Sequence, residues 1–147
     1  MIGIIVEDIE STPFMHSMFR ELNKLSQDYE CYVFANQVKS LPTHNKFCIL
    51  QQIEALQHQG VLISTSLTTS QILANCLTCI NKYYYVYDLE WRNLKAFNEK
   101  QLTKIFLNEE INLLTRSESH YKVLSKNFKA PAGIVRNWNH KQIAEYI

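Results

Sequence analysis

The sequence predicts an α/β fold: one doubly wound, mainly parallel sheet with helices on both faces. Three observations carry this. Short apolar runs of strand length alternate with helical stripes from one end of the chain to the other. The stretch Ile111 to Asn139 reads as strand, polar turn, helix, strand and polar turn, a βαβ unit whose strands are parallel and whose crossover is right-handed. No Gly/Ser linker and no repeat divides the 147 residues, a length that makes one ordinary domain needing no disulfide or metal for stability. The expected strand order is Rossmann-like, with the first strand central.

Taken in order, Ile2-Gly3-Ile4-Ile5-Val6 is a β-branched run that makes a buried first strand, closed by the carboxylates Glu7 and Asp8. Thr12-Pro13 is an N-cap followed by proline at the first helical position, and Phe14, Met18, Phe19, Leu22 and Leu25 continue an apolar stripe to about Gln27. Cys31 to Phe34 is the second strand. The polar stretch from Ala35 to Asn45 contains Pro42 and reads as a loop with a marginal strand at Val38 to Leu41. From Lys46 the spacing of Phe47, Leu50, Ile53, Ala55 and Leu56 predicts a helix that Gly60 ends. Val61-Leu62-Ile63 is the third strand. The hydroxyl-rich turn Ser64 to Thr69 then feeds a helix carrying Ile72, Leu73, Cys76, Leu77 and Ile80.

Tyr83 to Tyr87 is the fourth strand, its alternating faces both suited to burial, and it ends at Asp88-Leu89-Glu90-Trp91. A polar segment with Phe97 precedes a helix near Glu99 to Leu107. Ile111 to Thr115 is the next strand, and a helix starts at Ser117 or Glu118, with Tyr121, Leu124, Ser125 and Phe128 at three- and four-residue spacing. Lys126 and Lys129 suit its carbonyl end and Pro131 stops it. Ala132 to Val135 is a strand, Arg136 to Asn139 a polar turn, and His140 to Ile147 a terminal helix.

The totals exclude several classes. A net charge of +1 supplies no general attraction to nucleic acid or to an anionic membrane surface. No run of about 18 apolar residues exists, and Met1 leads straight into a strand, so the expected location is cytoplasmic with no membrane span. Only three glycines occur, and neither GxGxxG nor GxxxxGK[ST] is present, which removes the Gly-rich phosphate loops. Cys31, Cys48, Cys76 and Cys79 are expected to be reduced and buried. Cys76 and Cys79 have CxxC spacing, but inside a helical stripe and without a second ligand pair. The five histidines lack metal spacing, and no GxSxG elbow marks a hydrolase triad.

Ligands of open α/β sheets collect at the carboxyl ends of strands, which selects four groups of candidates. Glu7 and Asp8 can form a general base or a hydroxyl-binding pair, or else cap a turn and face solvent. Ser64, Thr65 and Ser66 can hold a sugar hydroxyl or an anion at the following helix, or simply cap it. Asp88, Glu90 and Trp91 join acid to an aromatic platform for a sugar face, although Trp91 can equally pack under its loop. Arg116, Ser117, Ser119, His120 and Asn137 lie on the same edge. Arg116, Ser117 and His120 can hold phosphate, or serve as a cap and an ion pair.

The stretch LLTRSESHYKVLSKNFKAPAGIVRNWN, Leu113 to Asn139, resembles the end of the N-terminal domain of GT-B glycosyltransferases. There a strand, a Ser-led helix and a strand ending in an Asn turn lead toward the second domain. The matching residues are Thr115 to Ser119, the helix through Phe128, and Ile134 to Asn139; the rest agrees in element order. The chain is also similar to short glycosyltransferase-like proteins of tailed phages. Where the family has a Gly-rich turn after its first strand, this sequence has Glu7-Asp8-Ile9-Glu10, carboxylates that repel a donor diphosphate. The family's second half, which supplies most donor contacts, has no counterpart in the 147 residues.

The resemblance therefore implies the fold and the acceptor side of a cleft. The expected function is a glycosyltransferase-like domain without independent catalysis that acts by binding a protein partner or itself, as a virion-associated or regulatory protein. The alternative is a sugar-transferring enzyme completed by dimerisation or by a separate donor domain, with a nucleotide-sugar donor. A small-ligand sensor using the same cleft is a third reading. No resident cofactor or metal is expected.

Overall fold

A computed structural model describes residues 1–89 and 99–147. The chain starts with strand β1, Ile2–Ile5, and a two-residue strand β2, Asp8–Ile9. Helix α1 covers Pro13–Leu25; Thr12 caps it by accepting the Met15 N–H at 3.2 Å, and proline occupies its first turn. Its buried face is Met15, Met18, Phe19, Leu22 and Leu25, a stripe at 3.6 periodicity in which each side chain contributes about 1.5–3 kcal/mol on burial. Strands β3, Cys31–Ala35, β4, Gln37–Val38, and β5, Cys48–Gln51, follow, then a 3-10 helix over Gln52–Gln57. Strand β6, Val61–Ser64, helix α2, Leu67–Asn75, strand β7, Asn81–Val86, and helix α3, Glu99–Phe106, come next. Strand β8, Ile111–Thr115, helix α4, Glu118–Asn127, strand β9, Gly133–Ile134, a 3-10 turn over Arg136–Trp138 and helix α5, His140–Ala144, close the chain.

The seven-stranded sheet has the order β5-β3-β1-β6-β7-β8-β9, and every neighbouring pair in it is parallel. This is the expected Rossmann-like arrangement, extended by one strand. The chain winds outward from β1 through β3 to β5, then returns to the other side of β1 at β6. The reversal opens a crevice between the ends of β1 and β6, the place where such sheets bind ligands. Each sheet face has its own core. Ile2, Ile4, Tyr83 and Tyr85 pack with α1 and Trp138 on one side, while Ile5, Leu62, Tyr84 and Val86 pack with Leu73, Phe106 and Leu124 on the other. The tyrosine run thus buries both of its faces, as its strand period requires. No helix among the described residues is long and apolar enough to cross a membrane.

Four local expectations are corrected. The helix expected from Lys46 is instead the edge strand β5 and a 3-10 helix: Cys48 to Gln51 pair with Tyr32 to Ala35, and Ile53 is exposed. A four-residue apolar run fits either period, and the unsatisfied edge of β3 decides it. The helix expected to run to Ile80 stops at Asn75, with Leu77 89% and Ile80 76% exposed. The CxxC therefore lies in the turn after α2, where Cys76 is buried and Cys79 half-buried. Of the other two cysteines Cys31 is buried, but Cys48 is exposed on β5; all four are free thiols. The marginal strand expected at Val38 to Leu41 is β4 at Gln37–Val38, which pairs in parallel with β2 as a second small sheet. Finally, Trp138 in the expected polar turn is a core residue, 1% exposed. The polar segment with Phe97 falls outside the described residues.

Gly60 ends no helix; it leaves room for the first residue of the chain. A methyl group there would stand 2.1 Å from the Met1 carbonyl oxygen, which also accepts the Val61 N–H at 3.0 Å. Because that carbonyl belongs to the β1–β6 ladder, it has nowhere to move. Gly60→Ala is expected to lower stability by about 2–3 kcal/mol, seen as a lower urea midpoint at unchanged slope. At Gly133 the corresponding clash is with the Tyr146 hydroxyl, the end of a side chain, so Gly133→Ala should have a much smaller effect.

Candidate functional site

The crevice at the strand reversal is a cleft of about 270 Å³, lined by Glu7 and Asp8 after β1, Thr65 and Ser66 after β6, Tyr87 and Asp88 after β7, and Phe14 and Met15 on α1. Five of the sequence candidates therefore meet in one place. The β1 end is held by backbone and side-chain bonds: Val6 donates to the Phe34 carbonyl at 2.9 Å, and the Gln52 amide donates to the Val6 carbonyl at 2.7 Å. Glu7 projects into solvent beyond this anchored strand, while its carbonyl accepts the Asn36 N–H at 2.8 Å.

The cleft's carboxylates differ in what already occupies them. Asp8 is engaged by Lys39, whose Nζ lies 2.8 Å from its Oδ2 and 2.5 Å from the Glu10 Oε1. The Lys39 hydrogen bond holds the Asp8 carboxyl below the usual range, and the two carboxylates, Asp8 first, raise the lysine above its own. Asp88 is engaged by Arg116, with Nη2 to Oδ1 at 3.1 Å, and the same guanidinium lies 4.5 Å over the Tyr87 ring. Tyr87 in turn meets Phe14 edge-on at 4.8 Å. Glu7 receives only a hydroxyl, from Ser66 Oγ at 2.7 Å, and pairs with no cation among the described residues.

The turn into α2 is capped by its own side chains. Ser66 caps the helix by accepting the Thr69 N–H at 3.2 Å, and Thr69 Oγ1 accepts the N–H groups of both Thr65 and Ser66, at 3.1 and 3.0 Å. The N–H groups of Thr65, Ser66 and Thr69 are thus already bonded within this turn. Thr65 Oγ1 donates to the Ile5 carbonyl at 2.9 Å, tying the β6 end to the β1 end.

The remaining candidates stand elsewhere. Ser64 is fully buried, with its hydroxyl 2.7 Å from that of Ser70, so it is core and not ligand-facing. Ser117 caps α4 through the His120 N–H at 3.4 Å and shares a hydroxyl contact with Ser119 at 2.9 Å. Neither Ser117 nor His120 lines the cleft. Asn137 is exposed in left-handed backbone at φ 48°, its carbonyl accepting the Ser17 hydroxyl at 3.1 Å, on the α1 side of the sheet. Glu90 and Trp91 lie outside the described residues.

Four participants were not foreseen as such. Phe14, Met15 and Tyr87 read as helix and strand hydrophobes because nothing in the spacing separates a cleft wall from a core contact. Lys39 follows a two-residue strand whose partner is 29 residues away in sequence, so its reach to Asp8 and Glu10 depends on the small second sheet.

Chemically, the cleft combines carboxylate acceptors, the Ser66 hydroxyl bonded to Glu7 and an aromatic wall. That combination suits a polyhydroxylated ligand, whose hydroxyls donate to carboxylates and whose C–H face packs on rings. Three carboxylates and a self-capped helix oppose a diphosphate. At about 270 Å³ the cleft lies just below the usual range of ligand pockets. Compared with known proteins, the chain matches no family model, no curated protein and no solved structure.

Proposed function

We propose that this chain is a glycosyltransferase-like domain that works by binding, with a single sugar unit held in the cleft at the strand reversal. What supports the reading most is the meeting of Glu7, Ser66, Tyr87 and Asp88 around one cleft of about 270 Å³, at the position where doubly wound sheets take ligands. Binding is favoured over independent catalysis because two of the three carboxylates are held by Lys39 and Arg116. The Lys39 hydrogen bond holds the Asp8 carboxyl below its usual range, which makes it a poor proton acceptor. The resemblance of Leu113 to Asn139 to the end of a GT-B N-terminal domain agrees with a role on the acceptor side. A bound sugar presented at this edge then serves recognition by a partner protein or a second copy of the chain.

Free hexoses are expected to raise the melting temperature. At ten times the dissociation constant the linkage is worth about 1.4 kcal/mol, or roughly 3–5 °C for a domain of this size. A nucleotide-sugar should give no more than its sugar alone, and Asp88→Ala combined with Ser66→Ala should remove the shift. A panel of neutral, amino and acidic sugars that leaves the melting temperature unmoved would overturn the proposal. A nucleotide-sugar shift far larger than that of its sugar would favour the enzymatic alternative.

A further inference from the structure

The charges around the cleft do not cancel evenly, and the imbalance points to a ligand class. Asp8 faces Lys39 at 2.8 Å and Asp88 faces Arg116 at 3.1 Å. The second pair leaves its carboxylate able to accept hydrogen bonds but close to neutral as a field source, whereas Lys39 is shared with Glu10 at 2.5 Å, so that trio keeps one negative charge. Glu7 has a hydroxyl at 2.7 Å and no cation among the described residues. Among the described residues the groups in and beside the cleft therefore carry a net negative charge, and Phe14 and Met15 give the same cleft an apolar part.

Building on the sugar-binding reading, we infer that the ligand carries a protonated amine, an amino-sugar whose ammonium sits on the Glu7 carboxylate while its ring packs against Phe14 and Met15. The Ser66 hydroxyl, now donating to Glu7, can turn to accept from a ligand hydroxyl when the ammonium takes its place, so no acceptor is left without a donor. A neutral sugar gains only the hydroxyl contacts. A sugar acid or sugar phosphate meets repulsion from Glu7, and the Thr65 and Ser66 N–H groups beside it are already held by the Thr69 hydroxyl.

The test titrates the intact chain with glucosamine, glucose, N-acetylglucosamine and glucosamine 6-phosphate by calorimetry or NMR at pH 6, where an amine is protonated and a glutamate ionised. Glucosamine is expected to bind about three- to tenfold tighter than glucose, the range for a partly exposed charge pair. N-acetylation and phosphorylation should each remove that advantage, and Glu7→Gln should bring glucosamine to the affinity of glucose while the melting temperature of the free protein holds. Equal affinities for glucosamine and glucose would overturn this inference and leave the sugar-binding reading standing. Absence of binding by all four would overturn both.

Discussion

Replacing Glu21 by alanine is expected to lower stability by about 3 kcal/mol, and acid is expected to remove the same contribution without any mutation. Glu21 lies on α1 with its side chain only 7% exposed. It accepts from Lys24 Nζ at 2.8 Å, from Arg20 Nε at 3.2 Å and from His140 Nδ1 at 2.8 Å, with the His140 N–H more distant at 3.4 Å. Burial opposes its charge, but the hydrogen bonds from Lys24, His140 and Arg20 outweigh that and bring its pKa down from 4.5 to about 2. A depression of that size corresponds to about 3 kcal/mol of linked stability. Removing one member of a buried pair costs about 3–5 kcal/mol, and the lower end applies because Arg20 and Lys24 can return to water.

The sign of the pH effect follows from the direction of the shift. A carboxylate depressed in the folded state stabilises fully above its unfolded value and loses that contribution as protons bind. For Glu21 the loss runs from about pH 4.5 down through about pH 2. Urea midpoints measured from pH 6 to pH 3 should fall steeply in the natural sequence and less steeply in Glu21→Gln. Parallel slopes in the two proteins would sink this account. Because His140 opens α5, the first structure lost in acid should be the docking of α5 on α1, visible in the packing of Tyr146 against Tyr83, whose rings lie 5.8 Å apart.

Trp138→Ala is expected to lower stability by about 3–5 kcal/mol, the range for deleting a large buried aromatic. The indole is 1% exposed and meets the Tyr85 ring at 4.5 Å and the Phe14 ring at 5.7 Å. Tyr85 also donates its hydroxyl to the Val135 carbonyl at 2.7 Å, so the end of β9 and the centre of β7 depend on one another. Trp138 has φ of 60°, a left-handed conformation that costs a side-chain-bearing residue roughly 1–2 kcal/mol and glycine little. Trp138→Gly should therefore unfold at higher urea than Trp138→Ala, although both leave the same void. The reverse order would mean that the left-handed backbone carries no strain. Loss of the indole also removes support from Phe14, so either variant should weaken sugar binding at the cleft.

Much of the fold is legible in the sequence because local chemistry and global layout agree there. The β-branched run at Ile2 to Val6 can only be a doubly buried strand, Thr12-Pro13 can only start a helix, and Ser117 caps α4 where its hydroxyl and the following charge indicate. The cleft is legible in part for a related reason. Strand ends collect polar residues, so Glu7, Asp8, Thr65, Ser66 and Asp88 stand out against apolar neighbours. Ser64 stands out equally and is misplaced, because one residue decides whether a hydroxyl faces the core or the edge, and the register of β6 against β1 sets that residue. Trp138 is misread for the opposite reason. Its neighbours Arg136, Asn137 and Asn139 are polar, and the backbone reversal that turns the indole inward has no signature in spacing.

Hydrophobic patterning, caps and breakers thus determined by themselves most of the element sequence, the parallel crossover and the edge on which ligand chemistry collects, since each depends on residues close in the chain. The tertiary structure alone decided that 48–51 pair as an edge strand, that Lys39 reaches Asp8, that Arg116 reaches Asp88 and that Thr69 closes the α2 N-terminus. All but the last join residues far apart in sequence, and the last is settled by which rotamer the packing allows. The charge left on Glu7 is the sum of those pairings, and no local pattern contains it.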